Sequence, residues 1–227
     1  MQCMRRIGGD AVTPPGRAGA PARIGRRAVL TSFAGLALSP GWARAAAEAP
    51  HAGHRVGNAG GSRTLVQYTV PDLQLVRDDG RRVSLVDEIN DGRPVVLAFV
   101  YTSCTTVCPV ISQTLAQLQE LLGPLRDTVH LMSISIDPEH DTPARLREYG
   151  RKFGAGPSWQ HYTGPVAASV AAQRAFNVYR GDKMEHAPAT LVRAKPAAPW
   201  ARLEGFASAR QLLAELPDFC VARPGAG

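Results

Sequence analysis

The sequence predicts an α/β fold in which a central mixed sheet is flanked by helices and an N-terminal β-hairpin precedes the main sheet. The first observation is segment 94–101, PVVLAFVY, which has no charged residue and is typical of a strand covered on both faces. The second is the helical spacing of apolar residues that follows it, at Val110, Ile111, Leu115, Leu118 and Leu122. The third is the alternation of strand-type and helix-type segments as far as residue 216.

Short β-type segments begin the predicted domain. Segments 64–70 and 73–76 are rich in β-branched and apolar residues. An Asp-Gly step at residues 79–80 separates them from segment 81–85, in which apolar and polar residues alternate. Asp-Gly between two such runs predicts a hairpin.

Further strands and helices follow the central strand. A buried strand is predicted over 128–136, and Thr142 and Pro143 are the expected N-cap and first residue of a helix that reaches Phe153. The remaining predicted elements are a strand over 158–162, a helix over 165–176, an antiparallel pair over 189–193 and 201–203, and a closing helix over 208–216.

Residues 1–45 have the pattern of an export signal. Arg26 and Arg27 precede an apolar stretch that ends near Leu38, and small residues typical of a cleavage site follow. The apolar stretch is about a dozen residues long, whereas a membrane-spanning helix needs about 20. We therefore predict a twin-arginine signal cleaved near Ala45 or Ala47 and a periplasmic protein, in preference to an uncleaved membrane anchor.

The rest of the chain divides into a linker, one domain and a tail. Residues 46–63 are rich in Ala, Gly and His without periodicity, which predicts a flexible linker. Residues 64–217 form the predicted domain, and residues 218–227 a C-terminal tail containing Cys220, for which we expect no role.

The net charge of +7 does not indicate a nucleic-acid partner. Residues 1–45 hold seven Arg and one Asp, so the remaining chain has 19 basic and 18 acidic residues. The basic character belongs to the export signal, and the domain lacks the concentrated positive charge that phosphate backbones attract.

Two cysteines stand where the central strand gives way to the helix. Cys108 is expected at the helix N-terminus and Cys104 on the loop before it, which is a thioredoxin-like arrangement. Unpaired backbone N–H groups and the positive end of the helix dipole predict that both sulfurs favour the thiolate form. Such a pair can be a disulfide, a redox couple, half of a zinc site or two copper ligands. A structural zinc site needs a second close pair, which this chain lacks.

Cu(I) suits two thiolates and one further soft ligand. His186 is the candidate, because it precedes a β-type segment and therefore lies on a loop at a strand end. His140, His130 and His161 are competing histidines. Met184 is a candidate for a soft auxiliary ligand.

Three motifs resemble the Sco/SenC family: YTSCTTVCP at 101–109, DPEHDTP at 137–143, and the late loop histidine at 186. Members are thioredoxin-fold proteins that bind copper and support assembly of the binuclear copper centre of cytochrome c oxidase. The resemblance implies that Cys104, Cys108 and His186 bind one copper ion, as Cu(I), Cu(II) or both. It also implies that Asp137 lies beside them as an accessory residue.

Two features depart from that family's pattern. Thr105 stands where members commonly have proline. The segment from Ala187 to Thr190 resembles the cis-proline turn of thioredoxins and of cytochrome c maturation reductases. This second likeness favours an enzyme, a thiol-disulfide oxidoreductase in which Cys104 attacks a substrate disulfide and Cys108 resolves it. In that case Pro188 would be cis and would face the cysteines, and His186 would be dispensable.

The expected function is therefore that of an exported, monomeric metallochaperone, acting close to the membrane. It would deliver copper to an oxidase subunit or to another cuproprotein. The alternative is an oxidoreductase that reduces the cysteines of a copper site or of another exported protein.

Overall fold

The computed structural model describes residues 61–217. The predicted export signal, the linker up to residue 60 and the C-terminal tail lie outside the described residues. Eight strands form one mixed sheet in the order β1-β8-β7-β4-β5-β6-β2-β3. They are β1 Arg63–Val66, β2 Gln74–Arg77, β3 Arg82–Ser84, β4 Val95–Val100, β5 His130–Ser135, β6 Trp159–Thr163, β7 Ala189–Arg193 and β8 Trp200–Glu204.

Five α-helices flank this sheet, so the predicted architecture is present. They are α1 Leu85–Ile89, α2 Val107–Leu122, α3 Pro143–Lys152, α4 Val166–Ala175 and α5 Ala209–Glu215. Short 3-10 turns span Gly123–Thr128 and Lys183–Glu185. The side chain of Thr142 accepts a hydrogen bond from the Arg145 N–H and caps α3 as predicted.

Strand β4 occupies the centre of the sheet, parallel to β5 and antiparallel to β7. All six of its residues are buried. Val96 and Ala98 pack in one core with α2 and α5, whereas Val95, Leu97 and Phe99 pack in the other core with α1 and α4. Side chains alternate across a strand, so two covered faces require apolar residues at every position. This burial on both faces explains why segment 94–101 contains no charged residue.

The N-terminal hairpin is formed by β2 and β3, and Gly80 in its turn has φ of 89°. Strand β1 is shorter than the predicted segment 64–70 and does not join the hairpin. It pairs with β8 at the opposite edge of the sheet. The local sequence predicts a strand there, but its partner is about 140 residues away in the chain and is set by tertiary packing.

Candidate copper and thiol site

The two cysteines lie where β4 meets α2, as predicted. Cys104 is on the loop and Cys108 is in the first turn of α2. Both are reduced, and they are 8% and 0% exposed respectively. They form a small cluster with Val100 and Tyr101 at the end of β4. Cys104 is therefore the sulfur that a ligand or substrate reaches first.

The sulfur of Cys104 caps helix α2. Thr106 occupies the N-cap position, and its side chain makes no capping hydrogen bond among the described residues. Instead the backbone N–H of Cys108 donates to Cys104 Sγ at 3.3 Å. The first N–H groups of a helix lack intrahelical partners and carry partial positive charge. The loop therefore places a sulfur where negative charge is stabilised.

The two thiols differ in acidity. Burial raises the pKa of Cys104, but hydrogen bonds from the Cys108 and Thr106 backbone and from the Cys108 and Tyr101 side chains outweigh it and lower the pKa to about 7. Burial raises the pKa of Cys108 far above its usual value, and the neighbouring Cys104 thiolate raises it further. The prediction that both sulfurs favour the thiolate is therefore wrong for Cys108. Full desolvation outweighs the helix N-terminus there.

A buried carboxylate joins the cysteine loop to the loop after β5. Asp141 accepts hydrogen bonds from Thr102 Oγ1 at 2.5 Å, from the Thr102 N–H at 3.2 Å and from Ser135 Oγ at 2.6 Å. Sequence reasoning did not single out this residue. Its position directly before the helix cap Thr142 could have indicated a structural role. Asp137 and Glu139 also carry carboxylates in this turn, however, and the sequence does not distinguish the three.

Asp137 lies on the same loop and contacts the loop that carries His186. Its carboxylate binds Lys183 Nζ at 2.6 Å and His140 Nδ1 at 3.1 Å. Burial raises the pKa of this carboxyl, but the hydrogen bonds from Lys183 and His140 outweigh it and lower the pKa. Asp137, His140, Lys183 and His186 all line one open cavity of about 560 Å³.

His186 lies at the end of the 3-10 turn Lys183–Glu185 and is 8% exposed. Its Nε2 donates to the Phe99 carbonyl oxygen at 3.0 Å. Burial lowers the pKa of the imidazole, which favours the neutral ring. With Nε2 protonated, Nδ1 carries the lone pair that a metal requires.

The structure does not bring all three predicted ligands together. No group of three or more His, Cys, Asp or Glu side chains within residues 61–217 is arranged to hold a metal ion. The two sulfurs are adjacent, and the imidazole contacts β4 at Phe99, five residues before Cys104. The donor types fit a copper ion, but a three-ligand site requires His186 to move toward the thiols.

The competing histidines have other surroundings. His140 is on the surface and is paired with Asp137. His130 is fully buried, with both ring nitrogens in hydrogen bonds. His161 is fully buried and stacks on Trp159, and neither of its nitrogens finds a hydrogen-bond partner among the described residues. His130 and His161 are therefore inaccessible to an incoming ion.

Pro188 differs from the expectation for a reductase. No peptide bond in the described part of the chain is cis, so the Ala187–Pro188 bond is trans. The Pro188 carbonyl accepts a hydrogen bond from the Gly205 N–H at 2.8 Å, which joins the start of β7 to the end of β8. The cis proline that the reductase alternative expects is therefore not found at this position.

Within residues 61–217, no helix has the length and apolar character needed to cross a bilayer.

A dithiol at the junction of a central strand and a helix, in a mixed sheet with helices on both faces, defines the class of thioredoxin-like proteins. The fold class predicted from the sequence is confirmed. The SCO1/SenC family model matches residues 62–198. The chain belongs to the SCO1/SenC family.

The chain is similar to known proteins in sequence and in fold. The chain is 30% identical over 100 residues to the SCO1 protein homolog of Bacillus subtilis, covering 44% of this chain and 51% of that protein. It is 28% identical to Protein SenC of Rhodobacter capsulatus, covering 74% of each. The structure of Bradyrhizobium japonicum ScoI with copper bound matches with a TM-score of 0.55 at 22% identity, covering 64% of this chain and 96% of that one. The Bacillus match spans about half of that relative's length.

Proposed function

We propose that this protein is an exported copper metallochaperone in which Cys104, Cys108 and His186 bind one copper ion. The observation that carries the proposal is the pair of reduced sulfurs at the start of α2, one of them with a pKa near 7. Membership of the SCO1/SenC family and the copper-bound state of a structural relative support it.

Copper would bind the three residues in an order set by their protonation. The Cys104 thiolate needs to lose no proton above pH 7, so it is the first strong ligand. Cys108 releases its proton as its sulfur binds, because a metal ion supplies the positive charge that its buried surroundings lack. His186 completes the set through its neutral Nδ1 atom once the side chain moves toward the thiols.

A low coordination number also suits delivery. A Cu(I) ion held by two thiolates and one imidazole can accept a further ligand from a partner before it loses its own. The recipient class is a subunit of cytochrome c oxidase or another cuproprotein, as the family resemblance implies. The predicted twin-arginine signal supports an exchange in the periplasm, close to the membrane, by a monomeric protein.

Removal of both thiols tests the proposal most directly. In protein reconstituted with Cu(I), Cys104→Ser/Cys108→Ser lowers the affinity by more than about 100-fold, because hydroxyls are poor ligands for a soft ion. His186→Ala weakens binding by about tenfold, a single-ligand loss of roughly 1.4 kcal/mol. His140→Ala is the matched control and retains the full affinity. Competition with a chromophoric Cu(I) chelator measures all four proteins. A double serine variant with unchanged affinity contradicts the proposal.

The asymmetry of the two thiols favours thiol-disulfide exchange as the second candidate. The Cys104 thiolate would attack a substrate disulfide, and Cys108 would then displace the reduced substrate. The protein would end with a Cys104–Cys108 disulfide and would need an exported dithiol reductant to turn over. His186→Ala separates the candidates: a reductase keeps its rate of disulfide reduction, whereas a chaperone loses copper affinity.

A further inference from the structure

The exposed side chain of Met184 contacts a residue of the thiol cluster. The Tyr101 hydroxyl contacts Met184 Sδ at 3.8 Å, and the same Tyr101 side chain packs in the cluster that contains Cys104 and Cys108. One phenol therefore touches both the thioether and the thiol cluster. Single exposed apolar residues are common on protein surfaces. Met184 differs from such residues because its sulfur contacts Tyr101, a member of the cluster that contains both cysteines.

The turn that carries Met184 is held in place on three sides. Asp182 Oδ1 accepts a hydrogen bond from the Met184 N–H at 2.9 Å. Lys183 is paired with Asp137, and His186 is bonded to the Phe99 carbonyl. The thioether is consequently presented by a fixed backbone. The pairing with Asp137 also offsets the charge of the Lys183 ammonium, which would otherwise repel an approaching cation.

The three sulfurs form a graded series from solvent to core. Met184 is 74% exposed, Cys104 is 8% exposed and Cys108 is fully buried. A neutral thioether binds Cu(I) selectively but weakly, whereas a thiolate binds it tightly. A soft ion would therefore meet a weak, exposed ligand first and tighter ligands further in.

We propose that Met184 is a capture ligand for Cu(I), which takes the ion from solvent or from a donor and passes it to Cys104. This inference rests on the proposed copper function. In the transfer step the bond from copper to the thioether breaks as the bond to the Cys104 thiolate forms. Copper stays Cu(I), and the only proton released is that of Cys108 when its sulfur also binds.

Methionine methyl resonances provide a test with an internal control. The chain has four methionines: Met1, Met4, Met132 and Met184. Met132 is fully buried in the core. In full-length protein labelled with ¹³C-methyl methionine, we expect anaerobic Cu(I) to shift the Met184 resonance and not that of Met132. The Cys104→Ser/Cys108→Ser variant shows whether coordination is direct, because copper is then not held at these two positions, where it could shift the Met184 resonance indirectly. A titratable, fast-exchanging shift of Met184 in that variant supports capture.

Loading kinetics provide the second arm. Stopped-flow transfer of Cu(I) from a chelator should be slower by about fivefold in Met184→Leu, which keeps the size of the side chain and removes its sulfur. The matched control Met132→Leu loads at the unaltered rate. Unaltered loading in Met184→Leu, or an unmoved Met184 resonance in the double serine variant, overturns the inference. Neither result touches the proposed function, which fails only if the double serine variant retains tight copper binding.

Discussion

The two ends of the central strands both carry polar groups in a buried setting, but they use them differently. At the start of β5, His130 bonds through Nδ1 to the Glu88 carbonyl oxygen, and through Nε2 to Gln160 and the Tyr162 hydroxyl. The Tyr162 hydroxyl also donates to the Glu88 carboxylate at 2.5 Å. At the other end of β4, the cysteines and His186 make fewer hydrogen bonds.

The two groups of residues differ in whether their donor atoms keep a lone pair that can bind a metal. Both nitrogens of His130 are occupied, so the ring can take no ligand without breaking a buried hydrogen bond. His186 uses only Nε2 among the described residues, and its Nδ1 retains a lone pair. Cys104 accepts hydrogen bonds that favour its anion, so a cation can replace them. A polar network with every bond made stabilises the fold, whereas one with unused lone pairs can bind a metal.

Removal of His130 should have the largest effect on stability. His130→Ala removes a fully buried ring together with its hydrogen bonds to the Glu88 carbonyl, to Gln160 and to the Tyr162 hydroxyl. We expect a loss of about 2–4 kcal/mol in the free energy of unfolding. Copper affinity should be unchanged, since the network lies at the other end of the sheet. Urea unfolding and chelator competition measure the two quantities. A stable His130→Ala protein that binds copper poorly would reverse the roles assigned to the two ends.

A smaller effect on stability is expected at Asp141, which bonds to Thr102 at the end of the sheet that carries the cysteines. Asp141→Ala removes the acceptor for Thr102 and Ser135, at a cost of about 1–3 kcal/mol in the free energy of unfolding. Because these bonds position the cysteine loop, copper affinity should also fall by about tenfold or more. Asp141→Asn keeps the size of the side chain and serves as the milder variant. If Asp141→Ala unfolds earlier but binds copper normally, the carboxylate supports the fold alone.

The smallest effect on stability is expected for substitution of Cys104. The test at this residue therefore measures the reactivity of its thiol. Because the pKa is lowered to about 7, the thiolate predominates above pH 7 and the thiol below it. The alkylation rate of the metal-free protein should therefore rise with pH through a midpoint near 7, well below that of an ordinary thiol. Iodoacetamide labelling followed by mass spectrometry measures it, with Cys104→Ser as the control. A midpoint near the pKa of an ordinary thiol would contradict the proposal that the helix N-terminus stabilises the Cys104 thiolate.

Much of the fold followed from local patterns. The uncharged run of β4, the helical spacing of α2, the Asp-Gly hairpin and the Thr-Pro start of α3 each depend on neighbouring residues, and the structure contains all four. The pairing of β1 with β8 did not follow, because strand partners distant in sequence are selected by packing. The trans peptide bond before Pro188 likewise could not be predicted from the neighbouring residues.

For the candidate site, local sequence was enough to identify the donor groups and to place the cysteines. A strand that ends in Cys-x-x-x-Cys-Pro places one sulfur before a helix and the other in its first turn, because strand, loop and helix are all local. Three further properties depend on tertiary packing. Cys108 is a protonated, fully buried thiol, Asp141 joins two loops, and the Nε2 atom of His186 bonds to Phe99. Desolvation and contacts between distant segments govern these properties, and both arise only when the chain has packed.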